Sequence, residues 1–197
     1  MANTNTPFGL RPVRHRNGAP YNGAATKYYV PASDSTALFL GDPVVAGGSA
    51  DANGVPSVTR ATAAGGNYLL GSVVGVDAIE GAGANGNSST VYRAASTERY
   101  VYVADDPDLI FEIQENASGG ALTATNVHQN IDLVAGTGST VTGLSAFQAA
   151  SNTAATTNTL QLRILGFSQK VGNEPGNANA KIEVAINLHS QRNLTGV

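Results

Sequence analysis

Tyr100 to Glu115 reads YVYVADDPDLIFEIQE, and its pattern decides the fold class. Tyr100, Tyr102, Ile110 and Phe111 are aromatic or β-branched side chains that suit a pleated, half-buried surface. Between them, Asp105-Asp106-Pro107-Asp108 carries turn chemistry: short carboxylates accept nearby backbone amides and proline pre-sets φ. The stretch is expected to form two strands joined by an acidic turn. It holds no nucleophile with a partner, no metal-ligand spacing and no phosphate loop, so it reads as architecture.

Outward from this stretch the same grammar repeats. Lys27–Val30, Ala37–Leu40, a strand beginning at Val44, Ser57–Ala61 and Tyr68–Ile79 are expected strands, with Asn53-Gly54 a two-residue turn signal. Gly71 and Gly75 mark a bulge or a close backbone approach inside one of them. Downstream, Ile131–Val134 and Thr140–Thr142 flank a glycine-rich connection. Leu160–Phe167 and Lys181–Leu188 alternate most clearly, with Ile182, Val184, Ile186 and Leu188 on one face. Ser145 and Gln148 have capping-box spacing, which makes 145–150 the expected place for a single short helix. Short strands at even spacing, separated by turn residues, predict an all-β chain: one β-sandwich or β-barrel-like domain with at most one short helix.

The first 26 residues differ. They contain three prolines and follow neither a helix nor a strand period, which predicts an extended N-terminal arm over 1–26 and a β-rich domain over 27–197. Arg11, Arg14, His15 and Arg16 form the arm's basic cluster, interleaved with Phe8, Leu10, Val13 and Tyr21. Such an arm is expected to bind a partner through Phe8, Leu10, Arg11, Arg14, Arg16 and Tyr21, because exposed apolar groups are costly to leave unused.

Composition narrows the function classes. Of 197 residues only 13% are charged, against a usual share of about 25%, and the net charge is −3. A surface of neutral polar residues is poorly suited to a free enzyme that relies on charge for solubility, and suits one covered by neighbours. The negative balance gives no general attraction to nucleic acid. The absence of cysteine rules out disulfides and thiolate chemistry. Pro7, Arg11, Pro12 and Arg14 interrupt any apolar run of a signal peptide, and no window approaches a membrane span, so a soluble chain with no membrane partner is expected.

Candidate chemistry is sparse. Asp105, Asp106 and Asp108 could offer oxygen ligands to calcium, but no glycine stands at the turn position and Pro107 restricts the backbone, so a solvated turn is expected. Adjacent turn acids are poorly placed to work as a glycosidase pair. His15, His128 and His189 lack ligand-spaced companions, and no G-x-S-x-G marks a nucleophile. Gly81–Gly86 matches G-x-G-x-x-G letter for letter, but no helix pattern follows it. No catalytic residue, metal or cofactor is expected, and the chain reads as a non-enzyme.

Several blocks carry a resemblance. Thr6–Val13 (TPFGLRPV), Arg16–Ala24 (RNGAPYNGA), Val30–Asp34, Leu40–Val44, Val103–Pro107, Phe111–Gln114, Arg163–Gly166 and Glu183–Asn187 together resemble virion structural proteins of tailed bacteriophages. The likeness covers most of the chain in scattered blocks and brings no catalytic residues. It implies a capsid cement, or decoration, protein on the outer face of the head, bound to the major capsid protein and to other copies of itself as a dimer or trimer. Host cytoplasm during assembly and the virion afterwards are the implied locations. Other virion roles (major capsid, tail or head-fibre component) stay open, the first disfavoured by the lack of a long amphipathic helix. From other classes, a carbohydrate-binding β-sandwich module or a small hydrolase remains, against which the absence of tryptophan and of a nucleophile context count.

Overall fold

The computed structural model describes residues 3–77 and 91–192. The described residues hold twelve strands: β1 (Arg11–His15), β2 (Thr26–Val30), β3 (Pro43–Ala50), β4 (Pro56–Arg60), β5 (Gly71–Val76), β6 (Arg99–Ala104), β7 (Leu109–Gln114), β8 (Asn130–Ile131), β9 (Leu133–Val134), β10 (Gln148–Ala149), β11 (Leu162–Phe167) and β12 (Lys181–Ile186). The only helical segments among the described residues are three 3-10 turns, at Ala124–Asn126, Ser151–Thr153 and Ser190–Arg192. The fold is all-β. No described helix is long and apolar enough to cross a membrane.

Two layers of structure share the chain. β2, β4, β3, β5 and β6 close a barrel in that order, with β2 and β4 parallel at Tyr29 and Ser57 and every other neighbour antiparallel. β1, β7, β12, β11 and β8 form an antiparallel five-stranded sheet, and β9 pairs with β10 beside it. The acidic turn joins the two units: β6 closes the barrel, whereas β7 lies inside the sheet between β1 and β12. The two strands of the YVYVADDPDLIFEIQE stretch therefore belong to different sheets. Asp105 anchors the crossover by accepting the Tyr28 hydroxyl at 2.7 Å and the Thr26 hydroxyl at 3.0 Å.

Alternation explains both cores. Tyr28, Val30, Val44, Val58, Val73, Val101 and Val103 point into the barrel. Leu109, Phe111, Ile113, Ile164, Ile182, Val184 and Ile186 face the second, larger core with Leu10 and Phe147. All six residues of β7 are buried, because the sheet's other face is also covered. There Gln114 accepts the Thr6 amide at 2.8 Å and donates to Asn5 at 2.7 Å, while Glu112 meets Ser168 and Lys170.

Two expectations are corrected. Residues 145–150 are extended rather than helical: Ser145, Phe147 and Ala149 are buried at a period of two, and the Ser145 hydroxyl accepts the Phe147 amide at 3.1 Å instead of capping Gln148. The first 26 residues are not wholly an arm apart from a 27–197 domain. Residues 11–15 are β1, registered against β7, and Leu10 is fully buried in the larger core. The outer edge of β1 is capped by the chain's own return, with the His15 amide on Ala19 at 2.8 Å and the Tyr21 amide on Val13 at 3.2 Å. The expected strands at Ala37–Leu40 and Thr140–Thr142 are reduced to single bridges at Leu38 and Leu40 and to a turn.

Candidate attachment surface

The N-terminal segment reaches the barrel through a close backbone crossing. Gly9 and Gly41 both adopt positive φ, +72° and +92°, which only glycine takes without strain. A Cβ on Gly9 would stand 2.1 Å from the Gly41 carbonyl oxygen. The crossing is sealed by the Leu10 amide on Gly41 at 2.8 Å and the Ser72 hydroxyl on the Leu10 carbonyl at 2.6 Å.

Beside this crossing lies an apolar cavity of about 300 Å³, walled by Phe8, Leu10, Tyr21, Leu40, Val73 and Leu144, with Arg11 at its rim. The Arg11 guanidinium sits 4.4 Å over the Phe8 ring. Tyr21 is half-buried, its hydroxyl donates to Ala24 at 3.0 Å, and burial pushes its phenol pKa up. A tight turn over 139–144, closed by Gly143 on Ser139 at 2.8 Å and Ser139 on Leu144 at 2.9 Å, forms the adjoining lip. It exposes Val141 at 86% and Leu144 at 42%, and Val91 packs against Gly143 with 43% of its surface open. Phe39 and Tyr92 stack behind this lip at 5.0 Å.

Of the six expected partner-binding residues, Phe8, Leu10, Arg11 and Tyr21 come together at the cavity; Arg14 and Arg16 do not line it. Leu10 is committed to the chain's own core, and Phe8 is 9% exposed, so neither is free to anchor a neighbour as it stands. Arg11 and Arg14 are engaged within the chain, with Glu112 and, at 2.7 Å, with Glu183. Arg16 is exposed. Val91, Val141 and Leu144 were missed. Val141 falls in the Thr140–Thr142 stretch expected as a strand, which the structure makes a turn, and that turn leaves Val141 and Leu144 exposed.

The titratable groups serve the scaffold. Burial alone would raise the Glu112 carboxyl, but bonds from Lys170, Ser168 and Arg11 outweigh it and hold it at about 2. The acidic turn is met by its own chain: His15 lies 3.0 Å from Asp106, and Arg192 binds Asp108 and the Pro107 carbonyl. Burial lowers His189 to about 4, helped by the nearby Arg192 charge. A second cavity of about 560 Å³ is bordered by Arg60 and Phe147, where the guanidinium stacks 4.7 Å over the ring and donates to Gly136. Behind it, burial raises the carboxyl of Asp42. Among the described residues no three histidine or carboxylate side chains converge as metal ligands. The G-x-G-x-x-G match at 81–86 lies outside the described residues.

No protein-family model, curated protein or solved structure matches this chain.

Proposed function

We propose that the protein is a non-enzymatic virion component of a tailed bacteriophage: a capsid cement protein that binds the outer face of the head and bridges major capsid subunits. The observation that carries this reading is the apolar lip of Val91, Val141 and Leu144 beside the Phe8–Tyr21 cavity on a charge-poor body. Exposed apolar groups on one turn beside an apolar cavity suit an attachment surface. The resemblance of the sequence blocks to tailed-phage virion proteins supports the same class. A cement must hold its shape while pressure pushes subunits apart, and a closed barrel leaves no free strand edge in its sheet. Many weak copies on a symmetric shell then add up, because each further contact is effectively intramolecular.

The test is re-addition of purified protein to heads that lack it, read by bound copies per head and by density in electron micrographs. Wild-type protein should decorate the head surface and raise its resistance to heating. V141D combined with L144D should fold normally, since both side chains are exposed, and should bind at least about tenfold more weakly. Density confined to the tail, or full occupancy by the double variant, would overturn the reading.

A further inference from the structure

The barrel carries a second unusual surface, on its outer wall. Because Tyr28, Val30, Val101 and Val103 fill the interior, alternation places Lys27, Tyr29, Tyr100 and Tyr102 on the outside of β2 and β6. The register sets Tyr29 opposite Tyr100 and Lys27 opposite Tyr102, so these four side chains form one continuous strip. The Tyr29 and Tyr100 rings lie 5.7 Å apart, inclined at 53°. Lys27 extends its ammonium 4.1 Å above the Tyr100 ring and pairs with Asp77 at 3.1 Å. On β5, Gly75 stands opposite Tyr102, and a Cβ there would come within 3.3 Å of the ring, so the missing side chain leaves the ring its space.

Two of the three rings are held at their hydroxyls. The Tyr100 hydroxyl donates to Asp51 at 2.6 Å, and that bond, with burial and the carboxylate's charge, pushes the phenol up to about 12. Asp51 is itself held by the amides of Asn53 and Val55 at 2.8 Å each, in the β3–β4 hairpin. Glu98 stands beside the Tyr29 hydroxyl. Side chains already pinned this way lose little rotamer freedom when a ligand lands on them.

Charge then selects the ligand. Asp51, Asp77 and Glu98 outnumber Lys27 and the buried Arg99 that bonds the Asp77 carbonyl at 2.7 Å, so the charge balance at the strip is negative and disfavours phosphate, sulfate and carboxylate groups. An uncharged sugar meets no such penalty. Its C–H face suits an aromatic plane, whose face is electron-rich, while its hydroxyls can donate to carboxylates and accept from an ammonium. We propose that the Lys27–Tyr29–Tyr100–Tyr102 strip is a binding site for a neutral saccharide. The site does not depend on attachment to a head, so its failure and the failure of the cement reading are separable.

The experiment uses the isolated full chain on an array holding neutral, sialylated and sulfated glycans beside single-stranded DNA. Retention of one neutral class, unchanged by added salt, is expected. Y29A and Y102A should each weaken it about tenfold or more, while R163A, on the far sheet, should leave it unchanged. Because truncating half-buried rings could cost folding, a second measurement uses the unaltered protein. Titration with the retained saccharide should shift ring-proton resonances of Tyr29, Tyr100 and Tyr102 and leave those of Tyr68 and Tyr92 in place. Binding only to anionic glycans or DNA, shifts elsewhere, or no retention at all would each overturn the proposal.

Discussion

Arg11 and Glu112 face each other across the β1–β7 register, and the Glu112 carboxylate at their meeting point is 1% exposed. Lys170 and Ser168 complete its shell, at 2.8 Å and 2.6 Å. A carboxyl held at about 2 contributes stability that is fully present above its unfolded value of about 4.3 and is lost as pH falls through about 2. Acid melts should therefore lose stability across that window. E112Q keeps the shape and removes the charge; it should cost about 1–3 kcal/mol at neutral pH and flatten the acid limb. An unchanged slope in E112Q would show that other carboxylates govern the acid transition.

The Gly9–Gly41 crossing makes a sharper demand. G41A adds a methyl group 2.1 Å from the Phe8 carbonyl oxygen at φ +92°, so both sterics and conformation oppose it. The loss is expected at about 3 kcal/mol or more, well beyond a strain-free Gly→Ala change. G18A is the control: its φ is +90°, but nothing lies within 4 Å of the added atom, so it isolates the conformational cost. Equal melting temperatures for the two variants would contradict the packed crossing.

How much of this was legible in the sequence follows from which information is local. β11 and β12 were readable because a buried face imposes alternation along six residues, and β7, buried on both faces, because β-branched and aromatic residues follow a turn signal. β1 was not: Arg-Pro-Val-Arg-His is an edge strand with no residue fully buried, so it lacks an apolar rhythm, and Pro12 is tolerated at an edge. That β6 and β7 would join different sheets was invisible, since partner choice is set by residues far away in the chain. Capping-box spacing at Ser145 misled because Phe147 and Ala149 are drawn inward at strand period. Of the candidate attachment surface, the grouping of Phe8, Leu10, Arg11 and Tyr21 was readable as an apolar–basic cluster, and what it binds is a proposal. Its lip was not, because Val141 and Leu144 gain meaning only when Leu40 pairs with Leu144.

Arg93 illustrates a role that no local pattern announces. Its guanidinium is fully buried and donates to the carbonyls of Thr97, Thr36, Pro31 and Asp34 at 2.6–2.8 Å, tying two loops to one side chain. R93A strands those acceptors and should cost about 3–5 kcal/mol, read as a lower midpoint in denaturant. R93K should rescue little, because an ammonium cannot reproduce the planar fork. A lysine variant as stable as wild type would mean that charge alone, rather than geometry, holds the loops.

Deleting residues 1–26 tests how far the N-terminal segment belongs to the fold. The deletion removes β1 from β7, Leu10 and Phe8 from their buried positions, and the cover over Gln114. It also leaves Glu183 without Arg14 and opens the Gly41 and Leu10 bonds that fasten barrel to sheet. Leu10 and Phe8 alone account for about 1.5–3 kcal/mol each of burial, and an eliminated strand adds its ladder, against a typical total stability of about 5–15 kcal/mol. The truncated chain should lack a cooperative thermal transition or melt far below the full protein by circular dichroism. A shorter deletion, of residues 1–6, removes the Asn3 bonds to Glu174 and Asn177 and the Thr6 bond to Gln114, but keeps β1. It should fold and melt only modestly lower. If the 26-residue deletion instead melts like the full chain, β1 contributes nothing to the fold, and the segment is an arm free to engage a neighbour.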